Sequence, residues 1–367
     1  MGIEMLPSGT PAQRLACLRD RLGALGVDAC WVVDPANVRY LTGFTGEDST
    51  LLVSEERAVL VTDSRFQEQA QGEAGVDEIV CRTDGMVPTA GALCERMGLG
   101  RIGLASSHVT HADWMALARE APAAELVALE RGPADSMRMR KSREEVEAIV
   151  GALRVAEGAF ERLTAQVRPG LTERWMAGLL EWEMKQGGAD EPAFKTICAV
   201  GERASLPHAS CTDRSAGPDS AILFDWGARV GGYNSDLTRM AATGTMPEPI
   251  LELAQVVLEA QEAAFERLGP GVRCCDVDEA ARNVIVRAGY GPNFGHGLGH
   301  GVGLEVHEAP RLAARDEEIL LPGMVVTVEP GIYLPGVGGV RIEDMAVITP
   351  GGCEVLSSLE RRPGGRC

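Results

Sequence analysis

The segment Phe294–Glu308 reads FGHGLGHGVGLEVHE, with glycine at every odd position from 295 to 303. A repeat of two residues is typical of a β-strand, because successive side chains point to opposite faces of the pleated backbone. Glycine weakens a strand interior and often marks close approach by another backbone or a ligand. The pattern therefore predicts an extended segment with one bare face and with His296 and His300 on the other.

Two known motifs do not fit this segment. A G-x-G-x-x-G dinucleotide-binding loop needs glycine where position 300 or 304 holds another residue. His296 and His300 have the HxxxH spacing of helical zinc proteases, but the glycines disfavour a helix and the glutamate of HExxH is missing. A lone histidine among glycines is more often structural than a ligand. If these two bind metal, the other ligands must come from elsewhere in the chain.

Two aspartates upstream are placed symmetrically about a turn in ILFDWGARVGGYNSDLTRM. In an antiparallel hairpin closed by a two-residue turn at Val230 and Gly231, Asp225 and Asp236 would face each other about 5 Å apart at Cβ. Like charges in this position repel each other. The sequence therefore predicts either a solvated hairpin edge or a cation between the two side chains.

A second acidic pair lies in VVTVEPGIYLPGVGGVRIEDMAVI, where Glu329 and Glu343 are equidistant from the centre of a Pro-Gly-rich turn. Their flanks are apolar, and a buried carboxylate without a partner is costly. Surface salt bridges to Arg341 or Arg361 would explain this pair alone. Together with the two aspartates and His300, however, the set of four carboxylates and one imidazole suits two divalent metal ions about 3.5 to 4 Å apart.

The composition indicates a globular protein large enough for two domains. The chain has 367 residues, of which 45% are hydrophobic and 24% are charged. The 53 acidic and 35 basic residues give a net charge of -18, which opposes binding to nucleic acid and to anionic membranes. The sequence predicts a cytoplasmic protein with reduced thiols. Its ten cysteines form no CxxC motif, and it has neither a signal-peptide pattern nor a long apolar run.

Two domains are predicted, at residues 1–133 and 134–367. The first alternates an amphipathic stretch near Ala12–Leu25 with the strand-like runs ACWVVD, TLLVS and AVLVTD. This alternation predicts an α/β domain. The Gly-Pro-containing basic segment at 131–143 is predicted to be a linker.

The second domain is predicted to begin with a long helix and to contain a repeat. Ser142 and Glu145 form a capping-box pattern that would begin a helix reaching about Val167. The sequence AFERL occurs at 159–163 and again at 264–268, in each case followed by a Pro-Gly pair, a second helical pattern and a glycine-rich turn. This order predicts an internal duplication of about one hundred residues, with a cleft between the two halves.

Four segments, DWGARVGGYNSDLTR, GHGLGHGVGLEVHEAP, VEPGIY and GVRIED, resemble the metal motifs of the pita-bread (M24) Xaa-Pro metallopeptidases, the prolidase and aminopeptidase P group. NVRYLTGFTG and LVTDSRFQEQA are similar to the N-terminal domain of that group, so the resemblance covers nearly the whole chain. It implies an α/β N-terminal domain followed by an α+β pita-bread catalytic domain with a pseudo-twofold internal repeat. Methionine aminopeptidases lack such an N-terminal domain and creatinase lacks the metal ligands, so both fit less well.

The resemblance also implies a metal centre with two divalent ions. Manganese is favoured, with cobalt or zinc as alternatives. The implied ligands are Asp225, Asp236, His300, Glu329 and Glu343. Asp236 and Glu343 would bridge the two ions.

Further residues around the centre match family positions. His208 and His307 match the two histidines that contact the substrate and stabilise the developing oxyanion. His296 matches a histidine of the pocket. Tyr333 and Arg341 match residues that hydrogen-bond around the metal ligands.

The implied activity is hydrolysis of the peptide bond before proline by a metal-bridged hydroxide, with Glu329 taking the proton of the water. Arg311 matches an arginine associated with the free carboxylate of a dipeptide, which favours Xaa-Pro dipeptides. The alternatives are an Xaa-Pro aminopeptidase acting on longer peptides, and a metal-free creatinase-like enzyme or binding protein of the same fold. The resemblance further implies a homodimer. His108 and His111 are expected to be solvated loop residues without a role.

Overall fold

The structure is a computed structural model that describes residues 9–362, which fall into two compact units. One unit ends at Arg138 and the other begins at Met139. The domain boundary between residues 133 and 134 stays a prediction. Within the described range, no helix combines the length and the apolar character needed to cross a membrane, and the cysteines are free thiols.

The N-terminal unit is an α/β layer built on a six-stranded sheet. Its strands are β1 (Ala29–Val32), β2 (Ser49–Ser54), β3 (Ala58–Thr62), β4 (Glu78–Cys81), β5 (Arg101–Ala105) and β6 (Glu125–Leu129). Its helices are α1 (Pro11–Leu25), α2 (Pro35–Thr42), α3 (Gln67–Glu73), α4 (Met86–Arg96), α5 (His111–Glu120) and α6 (Pro133–Arg138). The strand order is β4-β3-β2-β1-β5-β6, in which β1, β2 and β3 pair antiparallel and the outer pairs are parallel.

The local sequence explains these elements. α1 begins at the capping box of Thr10 and Gln13 and ends at Gly26, whose φ of 67° suits glycine. The predicted amphipathic stretch and the three strand-like runs are thus confirmed as α1, β1, β2 and β3. Every residue of β2 and β3 is buried, as expected for strands covered on both faces.

The segment SSHVTHADW differs from its prediction. His108 is not a solvated loop residue, because its Nε2 lies 3.0 Å from both carboxylate oxygens of Asp135. Asn37 donates to Asp135 at 2.6 Å, and Arg138 donates to Asn37 at 2.9 Å. His111 is exposed, but it begins α5 instead of lying in a loop. The cluster joins residues that are far apart in the chain, so local patterns did not indicate it.

The C-terminal unit contains two helix pairs and several antiparallel sheets. Its helices are α7 (Arg143–Thr164), α8 (Glu173–Gln186), α9 (Glu248–Arg267) and α10 (Cys274–Arg287), with short 3₁₀ helices at Gly201–Ser205 and Gly291–Asn293. The strands of the first half are β7 (Glu191–Pro192), β8 (Ile197–Val200), β9 (Ala221–Trp226), β10 (Ala228–Val230), β11 (Tyr233–Asn234) and β12 (Leu237–Ala242). Those of the second half are β13 (Gly299–Gly301), β14 (Glu308–Leu312), β15 (Val325–Val328), β16 (Gly331–Leu334), β17 (Gly338–Arg341), β18 (Asp344–Thr349) and β19 (Gly352–Val355).

The two halves repeat the same order of elements, which confirms the predicted duplication. The helix pair α7–α8 is followed by the sheet β12-β9-β8, and the pair α9–α10 by the sheet β14-β13-β15-β18-β19. Phe224 and Val325 pack in the core that contains α7 and α8, whereas their neighbours Leu223 and Val326 pack in the core that contains α9 and α10. Because alternate strand residues point to opposite faces, the sheets form a layer between the two helix pairs. This is an α+β pita-bread fold.

The segment 131–143, predicted to be a linker, contains the division between the two units, but it is not an irregular loop. Much of this segment is helix α6, and the side chain of Lys141 is only 1% exposed and lies 2.8 Å from the Glu308 carboxylate. A lysine so deeply buried needs such a partner. The capping box at Ser142 is confirmed, and α7 ends at Thr164.

Candidate metal centre

The first acidic pair lies on the β9–β12 hairpin in a register that differs from the prediction. The turn consists of Gly231 and Gly232, whose φ values of 56° and 83° favour glycine. Asp225 therefore pairs with Thr238 and not with Asp236. The predicted and observed partners of Asp225 differ by two residues. A shift of two keeps each side chain on the same face of the strand, so Asp236 remains a diagonal neighbour of Asp225.

The second acidic pair follows the predicted symmetry. The ladders on either side of it, β15–β18 and β16–β17, share one register in which Glu329 and Glu343 occupy facing positions. The backbone N–H of Glu343 donates to the Thr238 carbonyl at 3.2 Å. This bridge brings the second pair beside the first.

Within the predicted extended segment only β13 (Gly299–Gly301) and the first residue of β14 are in strands, and β13 lies between β14 and β15. A Cβ atom at Gly299 would overlap the backbone oxygen of Thr327, and one at Gly301 would overlap the backbone oxygen of Ala309. These two bare positions therefore admit the neighbouring strands. His300 stands between them and lines a cavity.

We expect Gly301→Ala to destabilise the protein by about 3 kcal/mol, because the added methyl group would overlap backbone atoms that cannot move freely. Gly295→Ala is the matched control in the same segment, since no atom lies within 4 Å of its added Cβ. Its expected effect is within about 0.5 kcal/mol. Urea unfolding of the metal-free proteins would measure both, and equal stability of the two variants would contradict the packing argument.

All five residues implied as ligands line one cavity of about 860 Å³. Ligand atoms of Asp236, His300 and Glu343 lie within 4.8 Å of one another. The Nε2 atom of His300 is 3.3 Å from Glu329 and 3.5 Å from Asp236. Among the described residues, Asp225 Oδ1 and Glu343 Oε1 are buried without a hydrogen-bond partner.

The electrostatics of this group favour a cation. Burial, followed by the nearby carboxylates, raises the pKa of Asp236 and Glu343 well above their ordinary values. Burial also raises the pKa of Asp225, although Arg341 opposes this shift. Burial would raise the pKa of Glu329 as well, but the hydrogen bond and charge of His300 outweigh it and hold this pKa below its usual value. Crowded carboxylates with free oxygens and one imidazole fit divalent metal ions.

Arg341 connects the candidate ligands to the surrounding structure. It is buried and donates to Asp225 at 2.5 Å, to the Tyr333 hydroxyl at 2.7 Å and to the Thr238 hydroxyl at 3.0 Å. Thr238 in turn donates to Glu343 at 2.7 Å. Such contacts fix the orientation of ligating side chains. Thr238 was not singled out from the sequence, although its place two residues after Asp236 puts it on the same strand face.

Thr327 orients the other side of the centre. Its hydroxyl accepts from the backbone N–H of His300 at 3.1 Å and donates to Glu329 at 3.3 Å. The Nδ1 atom of His300 lies 3.1 Å from the Gly301 carbonyl, which leaves Nε2 directed at the carboxylates. Thr327 was not singled out from the sequence, although it lies two residues before Glu329 in the segment VVTVEPGIY.

The remaining predicted residues surround the cavity. His208, His307 and Arg311 are exposed and line it. The ring of His307 lies 4.3 Å from that of His300. His296 is half-buried, with its Nε2 2.9 Å from the Tyr333 hydroxyl, and burial lowers its pKa. The structure therefore brings every predicted site residue to one place.

Comparison with known proteins agrees with this geometry. Residues 147–350 match metallopeptidase family M24, and residues 14–140 match the creatinase/prolidase N-terminal domain. An Xaa-Pro dipeptidase of Pyrococcus horikoshii is 43% identical over 225 residues, covering 61% of this chain and 64% of the relative.

Two solved structures are similar over nearly the whole chain. An Xaa-Pro dipeptidase from Bacillus anthracis has a TM-score of 0.92 and 34% identity, covering 96% of this chain and 99% of that one. An X-Pro aminopeptidase from Thermotoga maritima has a TM-score of 0.85 and 36% identity, covering 94% and 99%. The chain therefore belongs to metallopeptidase family M24.

Proposed function

We propose that this protein is a dinuclear metallopeptidase that hydrolyses Xaa-Pro dipeptides. The convergence of four carboxylates and one imidazole on one cavity carries the proposal. Two of these carboxylates have buried oxygens without a hydrogen-bond partner within residues 9–362. Family membership supports peptidase chemistry, and the similarity to two proteins described as Xaa-Pro dipeptidases supports the substrate class.

The ligand set would hold two divalent ions. When bound, such ions polarise a scissile carbonyl as Lewis acids and lower the pKa of a water molecule toward neutrality. Asp236, His300 and Glu343 would hold the ions at the centre of the set, since their ligand atoms form one closely spaced group. Oxygen-rich donors suit Mn²⁺, with Co²⁺ or Zn²⁺ as alternatives.

The chain's own residues would move the proton and bind the oxyanion. Glu329 is held anionic by His300, so it can accept a proton and pass it to the leaving nitrogen. The prolyl nitrogen has no N–H, so a general peptidase that binds a backbone donor at this position would fail. His208 and His307, both exposed to the cavity, are proposed to hydrogen-bond the developing oxyanion.

Arg311 is proposed to bind the dipeptide carboxylate. It pairs with His300 across β13 and β14, lines the cavity and is exposed. We expect Arg311→Met to raise KM for Ala-Pro about tenfold to a hundredfold, because hydrogen bonds to a charged group are lost. Cleavage of Ala-Pro-Ala should change less, since its carboxylate lies one residue further on. The exposed Arg315→Met is the control, and an equal effect of both substitutions would contradict this role.

The second candidate function is an Xaa-Pro aminopeptidase, favoured by the similarity to the Thermotoga maritima enzyme. Steady-state hydrolysis of Ala-Pro and Ala-Pro-Ala with added Mn²⁺ separates the two candidates, and a higher kcat/KM for the tripeptide would replace the dipeptidase. Metal analysis tests the metal-free alternative. Absence of stoichiometric divalent ion, with no activity after its addition, would support a binding protein. A homodimer and a cytoplasmic location remain predictions, the first measurable by light scattering.

A further inference from the structure

Lys195 is an exposed lysine in the wall of the cavity that contains the candidate metal ligands. The chain has two other lysines. Lys141 is buried and paired with Glu308, whereas Lys185 lies outside the cavity and donates to the backbone oxygen of Asp190. The ammonium group of Lys195 has no ion-pair partner in the part of the chain that the structure describes. It is therefore free to bind an anion that enters the cavity.

The strand register places Lys195 on the wall that carries the aspartates. Ile197 pairs with Asp225 in the β8–β9 ladder. Phe194, Lys195, Thr196 and Ile197 all line the cavity, so the segment that leads into β8 belongs to its wall. Lys195 thus lies two residues before Ile197, the residue that pairs with Asp225.

A second cationic side chain of the cavity, that of Arg311, lies on the second sheet. Arg311 pairs with His300 across β13 and β14, so it flanks the ligand group from the side of the histidine. Lys195 flanks the group from the side of Asp225. The ligand group therefore lies between two cationic side chains that belong to different halves of the fold.

This arrangement determines what can face Lys195 in a bound dipeptide. If the carboxylate binds Arg311 and the scissile bond lies at the metal ligands, the N-terminal residue must extend toward the wall formed by β8 and β9. That residue carries an α-ammonium group and a side chain. Lys195 repels the ammonium group, which therefore turns away from it. The side chain is then the group that approaches Lys195.

We propose that Lys195 selects an acidic side chain at the residue before proline, so that Glu-Pro and Asp-Pro are preferred substrates. This inference rests on the proposed dipeptidase function. A lysine suits the task because its flexible stem carries a compact charge that can reach carboxylates of different length. Aliphatic dipeptides would still be cleaved, since Lys195 is not among the residues proposed for catalysis.

The experiment compares kcat/KM of the Mn²⁺-loaded full-length protein for Glu-Pro and Gln-Pro, which differ in charge but hardly in size. We expect the native protein to favour Glu-Pro about fivefold, which corresponds to about 1 kcal/mol, the upper range for an exposed ion pair. Lys195→Met should lower this ratio to about one while leaving Leu-Pro within about twofold, and Lys195→Glu should favour Lys-Pro over Gln-Pro. Lys185→Met is the matched control and should keep the native ratio.

The outcomes separate this inference from the function on which it rests. Cleavage of Leu-Pro without a preference for Glu-Pro would overturn the role of Lys195 and leave the dipeptidase intact. An unchanged Glu-Pro to Gln-Pro ratio in Lys195→Met would also overturn the role of Lys195. A loss of kcat/KM confined to Ala-Pro-Ala would overturn it as well, and would assign Lys195 to the carboxylate of a longer peptide. Failure to cleave any Xaa-Pro dipeptide, Leu-Pro included, would overturn the proposed function itself.

Discussion

Asp236→Asn is expected to lower kcat/KM for Ala-Pro by more than about a thousandfold, because loss of the partners of metal ligands already costs 10- to 100-fold. Asp236 is buried and lies within the group formed with His300 and Glu343. Its loss should reduce the number of divalent ions retained per chain. Activity assays and elemental analysis after gel filtration would measure both effects.

In the metal-free protein, the same substitution should make the folded state more stable. Burial and Glu343 raise the pKa of Asp236 in the folded state, so this group favours folding at low pH and loses that contribution as pH rises through its folded pKa. A neutral asparagine removes this penalty at neutral pH, so we expect metal-free Asp236→Asn to unfold at higher urea concentration than the native protein. Asp213→Asn, on an exposed salt bridge with Arg174, is the control. Full activity or a native metal content in Asp236→Asn would contradict its place in the centre.

Glu329→Gln should lower kcat about 10²- to 10⁴-fold, the usual contribution of a general base. An amide keeps an oxygen that can contact a metal ion but cannot accept the proton, so the rate should fall more than the metal content. Single-turnover rates at saturating Ala-Pro would measure the chemical step.

The pH profile provides a second measure of Glu329. Its pKa lies below the ordinary value, so the anionic form is present above that pKa and activity should fall as the pH drops through it. Glu329→Gln should lose this acidic limb. The exposed Glu317→Gln should keep both the rate and the limb, and a native kcat in Glu329→Gln with metal bound would rule out the base.

Features determined by residues close in the chain were predictable. Glu329 and Glu343 flank a single turn, so their symmetry about it predicts their facing positions. For Asp225 and Asp236 the period of two gave the correct strand face but the wrong partner. The turn forms at Gly231 and Gly232, and not at Val230 and Gly231, because both of its positions need a positive φ. Strand parity kept the ligands together despite the register error.

By itself the sequence determined the element order, the duplication and the residues that crowd negative charge, since these depend on periodicity and on turns of a few residues. Only the tertiary structure decided how the two hairpins meet, through the bond of Thr238 to Glu343 and that of Arg341 to Asp225, which join positions 105 and 116 residues apart. It also placed His108 against Asp135 and Lys195 in the wall of the cavity. Contacts at such separations depend on how sheets and helices pack, and no local pattern of side chains encodes that packing.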